Sequence, residues 1–121
     1  MAWNMDSDRP IYLQIVEHIT EDIINGHYAP GSKLESVRDL ATSAGVNPNT
    51  MQKALSELER TGLIATQRTN GRTITENTSL IDEARICSAN ELTQPFCNKM
   101  KTLGYNKDSI LKLVSDTFDK S

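Results

Sequence analysis

The chain has 121 residues, 37% hydrophobic and 24% charged, with a formal net charge of −3. That leaves room for one ordinary domain and a small appendage, not for a second ligand-binding domain of normal size. No apolar run approaches the roughly 20 residues needed to cross a bilayer, and the opening Met1-Ala2-Trp3-Asn4-Met5-Asp6 lacks the basic and apolar segments of a secretory leader; a cytoplasmic protein with no membrane partner is expected.

Met1 to Asp8 reads as loose, and Pro10 stands where the first helical position would be. A helix is expected from there to about Asn25. Ile11, Ile15, Ile19 and Ile23 step by four, and Val16 and Ile24 widen the stripe into a core-facing face. Gly26 stops it. In His27-Tyr28-Ala29-Pro30-Gly31 the proline fixes φ and the glycine accepts a positive φ, so Lys33 and Leu34 can begin a short extended segment.

Ser36 then reads as an N-cap with Asp39 as its acidic reach-back partner. Val37, Leu40, Ala41 and Ala44 repeat at helical spacing until Gly45 ends the run. Asn47 caps the next helix, whose first position is Pro48, where a missing N–H costs nothing. On that helix Met51, Leu55 and Leu58 share one face and are expected in the core, while Asn49, Gln52, Lys53 and Ser56 share the other. A face of amides, a lysine and a hydroxyl can read base edges. Gly62 ends this helix. Leu63-Ile64-Ala65-Thr66 and Thr73-Ile74-Thr75 are the β-prone runs, joined through Asn70-Gly71, the dipeptide of tight hairpins, with Arg68 and Arg72 on either side.

From Ser79 the pattern is helical alone. Leu80, Ala84 and Cys87 share a face, continued by Leu92, Phe96, Met100 and Leu103. Pro95 removes a backbone donor and clashes with the preceding turn, so a kink or break is expected near Thr93. Gly104 ends the element, Asn106 caps the next, and Ile110, Leu113, Val114 and Phe118 form its stripe. Two such helices cannot cover their own apolar faces, and pairing with a second copy is the simplest remedy. The alternative is packing back onto the chain's own first helix.

The expected fold class is therefore mainly α with a small β-hairpin. Residues 1–77 form a winged helix-turn-helix and residues 78–121 a short two-helix dimerisation region. Net acidity argues weakly against a nucleic-acid partner, because phosphates reward neutralisation by Lys and Arg. Distribution counts for more: acids crowd the first helix at Glu17, Glu21 and Asp22, whereas Lys33, Arg38, Lys53, Arg60, Arg68 and Arg72 punctuate the later elements. No Gly-rich phosphate loop, nucleophile elbow or paired histidine on a helix appears, so neither an enzyme nor a cofactor is expected. Cys87 and Cys97 lie ten apart with no histidine near them, and His18 and His27 have no ligand-spaced partner; free thiols and no metal are the reading.

Three segments resemble the GntR family of bacterial transcription regulators. They are Pro10 to Ile15, Tyr28 to Leu34, and most specifically Ser36-Val37-Arg38-Asp39-Leu40-Ala41 followed by Gly45 to Thr50 and Ala54 to Ile64. The short tail and Asn47-Pro48-Asn49-Thr50 resemble the YtrA-like subfamily, whose members have only a small helical C-terminal part. The resemblance implies a sequence-specific DNA-binding regulator, a repressor of a neighbouring operon such as a transporter's, acting as a homodimer on palindromic double-stranded DNA. It leaves room for a small-molecule effector only at the dimer seam. Carried over by position, Ser36, Arg38, Asn47, Pro48, Asn49, Thr50, Gln52 and Lys53 would meet DNA from the two helices, and Arg68, Gly71 and Arg72 from the wing. The chain departs from the family pattern at Glu35, where a proline is usual, and at Asn70-Gly71-Arg72, where Gly-x-Gly is common. Ser36 and Asn47 would serve as helix caps with or without DNA, and the polar stripe of the second helix would suit a plain solvated face. A winged helix that docks on proteins without specific DNA binding is the alternative.

Overall fold

A computed structural model describes residues 3–69 and 71–121. The elements run α1 (Ile11–Ile24), α2 (Val37–Ala44), α3 (Pro48–Thr61), β1 (Ile64–Gln67), β2 (Gly71–Ile74), α4 (Thr78–Thr102) and α5 (Lys107–Asp119). They form two compact units, Met1–Arg85 and Ile86–Ser121, whose boundary falls inside α4.

In the first unit the apolar stripes close into one core. Ile15, Ile19 and Ile23 of α1, Leu40, Ala41 and Ala44 of α2, and Met51, Ala54, Leu55 and Leu58 of α3 are all buried. Leu34, Leu63, Ile64 and Ile74 complete the cluster from the hairpin side, and Ile81 from the first turn of α4. The local punctuation works as the residue types demand. Ser36 Oγ accepts from the Asp39 N–H at 3.1 Å, although the Asp39 carboxylate makes no return bond among those formed. Gly45 closes α2 in the left-handed region at φ 75°, and the next amide, Val46 N–H, reaches back to Ala41 O at 3.0 Å. Asn47 Oδ1 accepts from Asn49 N–H at 2.7 Å with Pro48 at the first helical position.

β1 and β2 pair antiparallel, with Ile64 opposite Ile74, Thr66 opposite Arg72 and Gln67 opposite Gly71. Each strand thus starts or ends a residue or two away from the β-prone runs. Gly71, with φ 72°, opens β2 opposite the end of β1; the expected turn residue Asn70 lies outside the described residues. The extended segment anticipated at Lys33 and Leu34 forms a bridge to Thr73, with Leu34 N–H donating to Arg72 O at 2.9 Å.

Three expectations for this unit and its helices change. Pro10 is the N-cap of α1, not its first helical residue: its ψ of 131° is extended. The segment Trp3 to Asp8 is not loose. Trp3 N–H donates to Ala44 O at 3.2 Å, the Trp3 ring stacks on His18 with centroids 3.8 Å apart, and buried Gln14 holds the segment by donating to Asp6 O and Arg9 O while accepting from Asp6 N–H. A buried primary amide must satisfy both its oxygen and its nitrogen, and this segment supplies the partners. Third, of the kink or break expected near Thr93, the break does not occur: α4 runs through Pro95 to Thr102.

Arg85 fastens the start of α4 to α1, donating to Ile24 O at 2.6 Å while its other nitrogen meets Asp82 at 2.7 Å. A cation there also complements the negative end of α1. Leu80 and Ala84 lie partly buried against the same core. The sequence pattern assigned them to a dimer face; in the structure the chain's own winged helix covers them.

The second unit consists of the remainder of α4 and α5, joined at Gly104 (φ 93°). Asn106 and Ser109 exchange side-chain to backbone bonds as a full capping box. Its apolar residues are mostly uncovered. Met100 is buried and Ile110 partly so, whereas Cys87, Leu92, Phe96, Leu103, Leu113, Val114 and Phe118 are exposed, as far as 76% at Leu92 and 78% at Phe118.

Candidate nucleic-acid interface

The helix-turn-helix sets two helix N-termini on exposed ground. Burial of Met51, Leu55 and Leu58 fixes the rotation of α3, and that rotation turns Asn49, Gln52 and Lys53 outward. Asn47 and Pro48 at its start are exposed too, and Thr50 is half-buried. In α2 the burial of Leu40, Ala41 and Ala44 likewise leaves Ser36 and Arg38 exposed. Within each helix the side of the core thus determines the side available to a partner.

A groove joins the start of α2 to the turn end of the hairpin. Lys33, Ser36 and Asp39 line it with Gly71 and Arg72. The sequence placed Ser36 and Gly71 in separate motifs; the bridge between Lys33 and Thr73 brings them to one surface. One acid close by is already engaged. Glu35, at the family's proline position, accepts a bond from Tyr28 Oη at 2.9 Å. Burial and that carboxylate both push the Tyr28 phenol well above its ordinary value, so the hydroxyl stays protonated and keeps donating.

The cations differ in how they are held. Arg38 and Arg68 are exposed and make no ion pair among the described residues. Lys53 Nζ sits 4.0 Å from the centroid of the Tyr12 ring of α1, a cation–π contact that orients the ammonium without neutralising it. Arg72 turns inward: its Nε donates to Glu59 Oε1 at 2.8 Å, and only 20% of its side chain is exposed. Glu59 also accepts from Thr66 Oγ1. The Thr66 hydroxyl first, then Arg72, hold the Glu59 carboxyl below its ordinary value against the opposing effect of burial. Sequence reasoning missed the roles of Gln14, Tyr12 and Glu59 and the pairing of Glu35 with Tyr28. Only the Gln14 latch had a visible cue, an amide inside an isoleucine stripe.

Residues 11–74 match the bacterial regulatory proteins of the gntR family. An uncharacterized HTH-type transcriptional regulator of Bacillus subtilis, YhcF, is 40% identical over 88% of this chain and 88% of its own length. The HTH-type transcriptional repressor YtrA of the same organism is 49% identical over 63% of this chain and 60% of its own. Among solved structures, a GntR family transcriptional regulator from Listeria monocytogenes superposes with a TM-score of 0.88 at 43% identity, over 93% of this chain and 98% of that one. The DNA-binding domain of AraR in complex with operator ORX1 superposes with a TM-score of 0.54 at 26% identity, covering 62% of this chain and 93% of that one.

Proposed function

The chain belongs to the GntR family of bacterial transcription regulators, with YtrA proteins among those it is similar to, and from that premise we propose that it represses a neighbouring operon by binding a palindromic operator as a homodimer. The observation that carries this reading is the pairing of an exposed amide and cation face on α3, Asn49, Gln52 and Lys53, with an exposed Arg38 on α2. Asn and Gln pair bidentately with adenine, Lys reaches guanine or phosphate, and the Arg38 fork suits phosphate oxygens. The similarity to a domain held in complex with its operator supports double-stranded DNA as the ligand, and the similarity to a named repressor supports the sign of regulation.

In this reading Ser36, Arg38, Asn47, Pro48, Asn49, Thr50, Gln52 and Lys53 meet DNA from the helices. Arg68 and the Gly71 backbone meet it from the wing, and Arg72 supports the wing from behind. Dimerisation rests on the second unit, where Leu92, Phe96, Leu103, Leu113, Val114 and Phe118 are too exposed for a lone chain. An isologous pair presents two α3 helices to half-sites about one DNA turn, roughly 34 Å, or a multiple of it apart. Any small-molecule effector would enter at that seam.

Nuclease footprinting on the DNA upstream of the protein's own gene tests the proposal. Two protected half-sites related by a two-fold axis and spaced by a whole number of turns are expected. A single unsymmetrical patch, or no protection with intact folded protein, would instead favour a winged helix that docks on a protein.

A further inference from the structure

The hairpin has two unlike faces. Paired residues across an antiparallel ladder point the same way, as do residues two apart along a strand. Ile64 and Ile74 are opposite each other and buried, so their face is the one turned to the core. The next pair outward on that face is Thr66 and Arg72, and both reach Glu59 in the last turn of α3. One carboxylate oxygen of the recognition helix thus binds β1 through a hydroxyl and β2 through a guanidinium. The site is partly shielded, with 20% of the Arg72 side chain and 32% of the Glu59 side chain exposed. On the same helix Glu57 and Arg60 form an ordinary surface pair at 3.4 Å, 41% and 78% exposed, of the kind that contributes little.

We infer that Glu59 is a positioning residue for DNA recognition: with Thr66 and Arg72 it clasps the wing to the recognition helix, so that the contribution of Arg68 at the wing tip depends on it. The inference rests on the proposed DNA-binding reading. It also accounts for an arginine at 72 where the family commonly has glycine: a glycine there would leave β2 unattached to Glu59. Arg72 on this account is part of the support and not a reader of the minor groove.

A double-mutant cycle on operator affinity tests it, using the full chain, Glu59→Ala and Arg68→Ala, with Glu57→Ala as the surface control. Glu59→Ala is expected to weaken binding about threefold to tenfold, within the lower part of the range that coupling between linked positions covers, and to weaken it far less when Arg68 is already alanine. Glu59→Gln keeps an acceptor oxygen for Thr66 and Arg72 and should bind within about twofold of the parent. An equal loss in both backgrounds overturns the inference, as does a Glu59→Ala protein that binds as tightly as the parent. Should Glu59→Ala fail to fold, Arg72→Gly opens the same clasp from the other side and takes its place in the cycle. Amide exchange without DNA separates this from the DNA-binding reading. Faster exchange of the β2 amides in Glu59→Ala is expected, and unchanged exchange overturns the clasp whatever the DNA results; absence of operator preference in the parent protein overturns the DNA-binding reading alone.

Discussion

The two units of this chain handle the same kind of sequence pattern in opposite ways. Both are built from amphipathic helices, yet in Met1–Arg85 the isoleucine, leucine and methionine stripes meet one another and nearly vanish from the surface, while in Ile86–Ser121 Leu92, Phe96, Leu103 and Phe118 stay exposed. The difference lies in the number of faces available. Three helices and a hairpin enclose a centre, whereas two helical segments make only one contact and leave their outer faces bare. A unit that closes its own core can hold side chains at fixed angles, as reading DNA requires. One that leaves its core open is, on the proposed reading, completed by a second copy.

Substitutions should separate the two. The largest effect is expected at Leu55, fully buried in α3: Leu55→Ala should cost about 2–5 kcal/mol through lost transfer energy and a cavity, seen as a lower denaturant midpoint with DNA binding lost in step. Leu113→Asp, on the exposed face of the second unit, should leave the winged helix folded by circular dichroism and shift sedimentation from dimer to monomer. A Leu113→Asp protein that stays dimeric would remove the contrast between the units.

Smaller effects refine the picture within the first unit. Arg38→Ala should weaken binding to every duplex alike and lower the salt slope by about 1, whereas Gln52→Ala should relax preference at one base pair per half-site by about 1–3 kcal/mol; equal losses on operator and random DNA for both variants would defeat the assignment. Gly62→Ala meets two obstacles, a φ of 84° and the Leu80 Cδ2 atom at 3.1 Å from the new Cβ. It should destabilise the first unit by about 1 kcal/mol or more, measured by thermal melting. The smallest effect concerns pH. The Glu59 carboxyl is lowered from 4.5 in the folded state, so its contribution is complete above that ordinary value and fades as pH falls through the lowered one. Protection of the hairpin amides relative to their intrinsic exchange rates should therefore fall in acid in the parent and change less in Glu59→Gln.

Most of the fold was legible because its determinants are local. Ser36, Asn47 and Asn106 cap whatever helix follows them, Gly45, Gly62 and Gly104 stop whatever precedes them, and the i, i+4 isoleucines of α1 need no partner to be read as a stripe. What escaped depends on residues far apart in the chain. A stripe shows that a face is apolar but not what covers it, so Leu80 and Ala84 looked like dimer residues although the winged helix covers them. Glu59 and Arg72 are 13 positions apart, and Trp3 finds Ala44 across the unit; no spacing rule links either pair. Pro95 was expected to kink or break the helix, and α4 runs through it without a break. The exposed polar face of α3 was readable for another reason: the buried side of the helix determines the exposed one, so finding Met51, Leu55 and Leu58 also found Asn49, Gln52 and Lys53.

The most direct test of the account is fluorescence-anisotropy titration of the purified protein against the intergenic DNA upstream of its own gene and a random duplex of equal length, across a salt series. The account predicts saturable binding that prefers the upstream DNA, with log affinity falling against log salt by about 0.9 for each phosphate neutralised. Equal affinity for both duplexes at every salt concentration would contradict it.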